Sequence, residues 1–224
     1  MNIPVITIDG TSASGKSTLC KKISKKIGWF SLESGFIYRA VALIYLQYSS
    51  VIIPKKVVFI AKNLNCFLFI KKKKFKVIYN KKDITNNVFT EKTSMLASKI
   101  SQIPEIRNIL LNIQKSFRLN PGLVANGRDM GTVVFPDSKL KFFLISNLKI
   151  RSYRRMLQLK KRGIITNFKK TYSEIQKRDN LDIFRKISPL KPSKNAIILD
   201  TSYINTTEMF NISMKYIKSK FNLF

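Results

Sequence analysis

The sequence predicts an α/β fold: a five-stranded parallel sheet with helices on both faces, plus a small antiparallel β insert. Three observations lead there. Short apolar, β-prone runs alternate with helical patterns along most of the chain, which is how a covered parallel sheet is written. A glycine loop, Gly10 to Ser17, spells G-x-x-x-x-G-K-S between the first such run and the first helix. The polar motifs follow the ends of predicted strands, where sheets of this kind bind ligands.

The elements follow in order. Val5, Ile6, Thr7 and Ile8 form a buried strand. Leu19, Ile23 and Ile27 fall at helical spacing, and Gly28 signals the stop. Residues 29–32 are a second strand, running into Glu33, Ser34 and Gly35, and a helix follows over 38–47. Pro54 opens another over 55–63. Two apolar runs, 66–70 and 75–79, flank the lysines at 71–74, a solvated turn; 80–83 is a second turn before Ile84 and Thr85. That pattern is a small meander. Thr90 caps a helix across Ser94 to Ser98, and Pro104 starts one with Ile106, Leu110, Ile113 and Phe117 on one face. Asn120, Pro121 and Gly122 stop it. Strands three and four are 123–125 and 139–145. A basic helix covers 149–161 and stops near Gly163, another covers 169–178, and 196–199 is the fifth strand. Asn205 with Glu208 reads as a capping box opening the last helix.

Composition narrows the function classes. At 224 residues and 45% hydrophobic, the chain can bury a full α/β core. Cys20 and Cys66 are neither a disulfide framework nor a metal site, and read as reduced thiols of a cytoplasmic protein. There is no signal-peptide pattern and no run near the ~20 apolar residues of a membrane span. Histidine is absent, which removes Ser-His and Cys-His catalysis. The net charge of +30 invites a nucleic-acid reading. The lysines are spread along the chain without interleaved aromatics, so no specific nucleic-acid partner is expected. Abundant Lys, Asn, Ile, Phe and Tyr together suggest an A+T-rich genome. In a chain with 32 lysines and 10 arginines, each arginine is informative, because its planar fork binds phosphate bidentately.

The loop's chemistry follows from its residues. Gly10 and Gly15 allow torsions that side chains forbid, so that Thr11, Ser12, Ala13 and Ser14 can curl with their N–H groups inward. The helix start adds unpaired N–H groups and a positive dipole end. Lys16 carries a point charge to the outer phosphates, and Ser17, with Thr18, offers a hydroxyl to Mg²⁺. Three further clusters surround a second anion: Ser34 with Arg39; Arg128 with Asp129; and Arg178, Asp182 and Arg185, one face if that stretch is helical. Many arginines near one site fit two polyphosphate ligands meeting head to head.

The stretches IDGTSASGKSTL, ESGFIYRAVAL, NGRDMGTVVFPD, RRMLQLKKRG and KRDNLDIFRKISPL resemble those of bacterial cytidylate kinases, in the P-loop nucleoside monophosphate kinase group. The resemblance covers residues 8–190, and the 66–85 meander is similar to a β insert of that family. It implies one kinase domain: a core of about 1–35, 119–150 and 166–224, a monophosphate-binding region of about 36–118, and a lid of about 151–165. By position, Gly10 to Thr18 would bind ATP phosphates, with Arg151, Arg154 and Arg155 on or beside the lid. Ser34, Arg39, Arg128 and Arg185 would hold the acceptor phosphate; Ser98, Arg107 and Asp129 would read the cytosine edge; Arg178 and Asp182 would meet the ribose. Lys16, Arg128, Asp129 and Arg185 form the implied catalytic set.

The implied reaction is phosphoryl transfer from ATP to CMP or dCMP, with Mg²⁺, in a cytoplasmic monomer. A kinase preferring UMP or dTMP, a basic nucleic-acid-binding ATPase and a decayed structural remnant are the competing readings. Four positions depart from the family pattern: Asn126 and Glu33 where Asp is usual, Ser17 where a small Gly is common, and Leu181 where an arginine often stands.

Overall fold

The structure, a computed structural model, describes residues 3–47, 53–64, 68–71 and 74–221. Cys66 and the lysines at 72 and 73 lie outside them. The chain divides into two compact units, Met1–Leu32 with Arg118–Phe224, and Glu33–Phe117.

Unit 1 is built on the expected five-stranded sheet. Its strands are β1 (Val5–Gly10), β2 (Phe30–Glu33), β6 (Leu123–Asn126), β7 (Leu140–Ile145) and β8 (Ile197–Asp200), in the order β2-β6-β1-β7-β8. β1 lies between β6 and β7, parallel to both, with Ile8 opposite Asn126 and Phe142. All six β1 residues are buried. Helix α1 (Lys16–Ile27) and helix α8 (Thr206–Phe221) cover the sheet. Leu19, Cys20, Ile23 and Ile27 of α1 and Met209, Met214 and Ile217 of α8 join Ile6, Ile8, Val124, Phe142, Leu144 and Leu199 in one core. Each such side chain contributes about 1.5–3 kcal/mol on burial. The capping box is present: the Asn205 N–H donates to Glu208 Oε2 at 2.7 Å, and the Glu208 N–H to Asn205 Oδ1 at 3.0 Å.

The basic stretch is helix α6 (Leu148–Lys160), packed on helix α7 (Phe168–Ile183). α7 runs five residues past the expected end at Arg178. Arg178 and Asp182 therefore lie on the helix, whereas Arg185 follows its Phe184 cap, so the three do not share one helical face.

Unit 2 is mainly helical: α2 (Ser34–Leu46), α3 (Pro54–Lys62), α4 (Glu91–Ile100) and α5 (Pro104–Ser116). α2 begins four residues before the expected Tyr38, directly after β2. The periodicity is faint there because α2 is apolar nearly all round, with ten of its thirteen residues buried against α3, α4, α5 and a 3₁₀ turn at Thr85–Phe89. The meander is three antiparallel strands, β3 (Leu68–Lys71), β4 (Lys74–Tyr79) and β5 (Lys82–Asp83). Its second turn is only Asn80-Lys81, both at positive φ (48° and 62°) as a two-residue hairpin turn demands. Lys82 and Asp83 are strand rather than turn, and Ile84 and Thr85 leave the sheet. Thr90 caps α4, accepting the Thr93 N–H at 3.2 Å.

Candidate active site

β1 delivers its last residue, Gly10, to the edge of the phosphate loop. Gly10 has φ +142°, and a Cβ there would stand 2.1 Å from the Leu144 carbonyl oxygen of β7, so only glycine fits. Ala13 turns through φ 58°. Gly15, at φ +97°, precedes α1, whose start has no side-chain cap. The first-turn N–H groups at Lys16, Ser17 and Thr18 have no partner one turn back, which makes them anion donors. Lys16 folds into the loop, donating from Nζ to the Thr11 carbonyl at 2.5 Å and to Ser14 Oγ at 3.4 Å. Burial, and then Arg128, push its pKa well below the usual lysine value. An incoming phosphate reverses that pressure, since a nearby negative charge favours the ammonium form.

Around the loop, buried carboxylates and arginines interlock. The Arg128 Nε donates to Asp182 Oδ2 at 2.6 Å and its Nη2 to Ser12 Oγ at 2.9 Å. Burial opposes the Arg128 charge, but Asp182, Asp179 and Asp9 outweigh it and hold the guanidinium above its usual range. Asp182, despite its burial, is held below the usual carboxylate range by Arg128 and Arg178. Arg185 is buried 3.9 Å from Asp129 and 4.0 Å from Asp182, and its Nε donates to the Ser188 carbonyl at 2.5 Å. Arg178 has a buried Nε without a hydrogen-bond partner, and burial followed by Arg128 lowers its pKa. The structure thus brings Lys16, Arg128, Asp129, Arg178, Asp182 and Arg185 into one charge network at the loop.

The three α6 arginines differ. Arg151 has its guanidinium engaged by protein: Nε donates to the Ser146 carbonyl at 2.8 Å, and Nη1 to the Ser12 carbonyl at 3.1 Å and to Asp179 Oδ2. Arg154 donates to the Thr201 carbonyl at 2.7 Å. Arg155 is half-buried and close enough to lower the Arg178 pKa.

Three residues of this network were not among the sequence candidates. Asp9 accepts the N–H groups of Met130 and Gly131 at 2.9 and 2.8 Å, pinning the π-helical turn Met130–Val134 after Arg128 and Asp129. Burial raises its pKa from 3.8 to about 6 against the pull of those bonds. Asp179 accepts the Ser12 N–H at 3.0 Å. Thr201 Oγ1 donates to the Ser14 carbonyl at 3.0 Å. The chain has only 12 carboxylates, and among the described residues the four buried ones are Asp9, Asp129, Asp179 and Asp182.

Unit 2 carries the remaining candidates. Ser34 begins α2, and its Oγ accepts from Gln114 Nε2 at 2.6 Å; Gln114, on α5, is a further polar group that spacing did not reveal. The Arg39 guanidinium lies 5.9 Å over the Phe89 ring. Ser98 and Arg107 meet through the α4–α5 turn. Ser101 Oγ donates to the Ser98 carbonyl at 2.8 Å, and Arg107 Nη1 donates to the Ser101 carbonyl at 3.2 Å. Arg107 is buried and also faces the Tyr38 ring at 6.0 Å. Among the described residues there is no group of three or more His, Cys, Asp or Glu that could hold a metal ion, and no helix is long and apolar enough to cross a membrane.

Residues 6–219 match the family described as Cytidylate kinase. The chain is 47% identical over 216 residues to a "Cytidylate kinase" of Buchnera aphidicola subsp. Baizongia pistaciae, covering 96% of this chain and 94% of that protein. It is 39% identical over 220 residues to one of Klebsiella pneumoniae, covering 98% and 97%. Among solved structures it superposes on an uncharacterized protein from Eubacterium ventriosum with a TM-score of 0.55 at 13% identity, covering 97% and 99% of the two chains. A gluconokinase from Sinorhizobium meliloti gives 0.50 at 12% identity, covering 98% and 95%. Both structures share the fold.

Proposed function

The chain belongs to the cytidylate kinase family, and from that premise we propose how its residues divide the transfer of the ATP γ-phosphoryl group to CMP or dCMP. The enzyme is an ATP-dependent phosphotransferase, and the products are ADP and CDP or dCDP. The UMP- or dTMP-preferring reading and the nucleic-acid-binding ATPase are not favoured by these relatives.

The loop from Gly10 to Thr18 seats the ATP phosphates on its N–H groups and on Lys16. Arg154 and Arg155, with Arg151, serve the ATP side from α6, the expected lid. Ser34, Arg39, Arg128 and Arg185 hold the acceptor phosphate, Arg178 and Asp182 the ribose, and Ser98, Arg107 and Asp129 the cytosine edge. A ring acceptor, a carbonyl and an exocyclic amine on that edge call for the donors and acceptors of those three side chains. Lys16, Arg128 and Arg185 then neutralise charge as an acceptor phosphate oxygen attacks the γ-phosphorus in line. The acceptor phosphate is already ionised at neutral pH, so no general base is required.

Mg²⁺ bound with ATP supplies charge neutralisation across the β- and γ-phosphates. Mg²⁺ keeps several waters and leans on substrate phosphates, so it asks for few protein ligands. Ser17, half-buried in the first turn of α1, fits that need with one hydroxyl. We place the enzyme in the cytoplasm, as a monomer without a specific nucleic-acid partner.

The observation that carries this reading is the Arg128 fork shared between Asp182 and Ser12 of the loop, which ties the acceptor-side residues to the donor loop. The test is ADP release from Mg·ATP with and without CMP, UMP and AMP. Strong stimulation by CMP, weak by UMP and none by AMP is expected. Absence of stimulation by any monophosphate overturns the reading.

A further inference from the structure

Asp179 and Arg151 meet the loop at a single residue, Ser12. The Ser12 N–H donates to Asp179 Oδ1 at 3.0 Å, and the Ser12 carbonyl accepts from Arg151 Nη1 at 3.1 Å. The two side chains also pair with each other, and both are buried. Ser12 is therefore gripped at both of its peptide groups by side chains from α7 and α6.

Peptide planarity turns that grip into a statement about the loop. In a trans peptide the N–H and the preceding C=O point in opposite directions. Holding the Ser12 N–H toward Asp179 sends the Thr11 carbonyl the other way. That carbonyl accepts from Lys16 Nζ at 2.5 Å and from Ser14 Oγ at 2.9 Å, inside the loop. Holding the Ser12 carbonyl toward Arg151 likewise turns the Ala13 N–H inward. Ala13 has φ 58°, a region an L-residue leaves unless its neighbours are fixed.

We propose that Asp179 and Arg151 are positioning residues for the donor nucleotide: by clamping the two peptide groups of Ser12 they decide which loop N–H groups face the ATP phosphates. This rests on the reading that the loop seats ATP. Arg151 then acts on ATP through the loop backbone, and Asp179 spends its negative charge holding a donor away from the phosphates.

Two paired substitutions separate positioning from simple stability. Asp179→Ala/Arg151→Met and Asp179→Asn/Arg151→Met both remove the buried charges together, so neither leaves one ion uncompensated. Only the Asn version keeps an acceptor for the Ser12 N–H. Steady-state kinetics should show the ATP KM raised above wild type in both pairs, since both lack Arg151, and at least tenfold higher in the Ala pair than in the Asn pair. The CMP KM should stay within about twofold of wild type in both. Equal ATP KM values in the two pairs, or a CMP KM rising in step with that for ATP, overturns the proposal. Wild-type protein without CMP-stimulated turnover would instead remove the kinase reading. Titration of Mg·ATP onto the same variants still tells whether the clamp shapes the loop.

Discussion

Unit 1, among its described residues, buries seven charged side chains: Asp9, Lys16, Asp129, Arg151, Asp179, Asp182 and Arg185. Unit 2, among its described residues, buries one, Arg107, in the company of Ser34, Thr93, Ser94, Ser98, Ser101 and Gln114. Charges taken out of water are costly unless they are paired, and in unit 1 the pairs compensate one another at the phosphate loop. Neutral hydroxyls and amides discriminate by hydrogen-bond direction, and a site built that way rejects a ligand that leaves a buried polar group unpaired. The difference sets two kinds of buried polar group apart: paired charge around the loop of unit 1, hydrogen-bond direction among the neutral groups of unit 2.

If charge is what unit 1 supplies, Lys16→Ala and Arg128→Ala have the largest effects. Each should lower kcat by about 10²–10³-fold, the scale of losing one transition-state donor, with the circular dichroism spectrum unchanged. Near-wild-type turnover in either variant would remove its assigned role.

The cost of that buried charge should next appear as pH dependence at Asp9. Its folded-state pKa, about 6, exceeds the ordinary 3.8, so the native state binds the extra proton between those values. Ionised Asp9 therefore costs stability, and this group's contribution falls by about 2.5 kcal/mol as pH rises from 4 through 6 to 8. Asp9→Asn lacks that titration. Urea unfolding of both proteins at pH 4 and pH 8 should shift their stability difference toward the variant by about that amount at pH 8. An unchanged difference would overturn the assignment.

If unit 2 reads direction, Arg107→Ala and Ser98→Ala should each raise the CMP KM by about 10-fold, the scale of 1–3 kcal/mol for an unpaired buried partner. The preference for CMP over UMP should shrink while the ATP KM stays put. A parallel loss on both nucleotides would assign these residues to packing. The smallest effect lies in unit 2's scaffold. Thr90→Ala removes the α4 cap and should cost about 1 kcal/mol of stability with kcat unaffected, checked by thermal unfolding and turnover on one preparation.

Much of the fold was legible because its signals are local. The glycine loop, the capping box and the strand runs each depend on residues a few positions apart. Helix ends were less so: α2 reached back to Ser34 and α7 on to Ile183 because tertiary packing, not periodicity, fixed them. In the candidate site, arginines stood out as the rarer cation against lysine. Asp179 and Thr201 did not, since they bond to the backbone of Ser12 and Ser14, residues 167 and 187 positions away. Every residue offers the same N–H and C=O, so a bond to main chain leaves no mark on its partner's identity.

Asn126 departs from the expected Asp and makes a bond of its own. Its Nδ2 donates to the Leu32 carbonyl at 3.4 Å, a bond no carboxylate can make. The family pattern expected from the sequence has Asp there, and one transition in the codon converts Asp to Asn. Asp9 and Asp179 face backbone N–H donors, and Asp182 faces arginines. The same codon change at those positions would turn an amide donor toward a donor or remove a compensating charge. The direction of each hydrogen bond therefore sets where an amide can stand in for a carboxylate: at 126, and not at 9, 179 or 182.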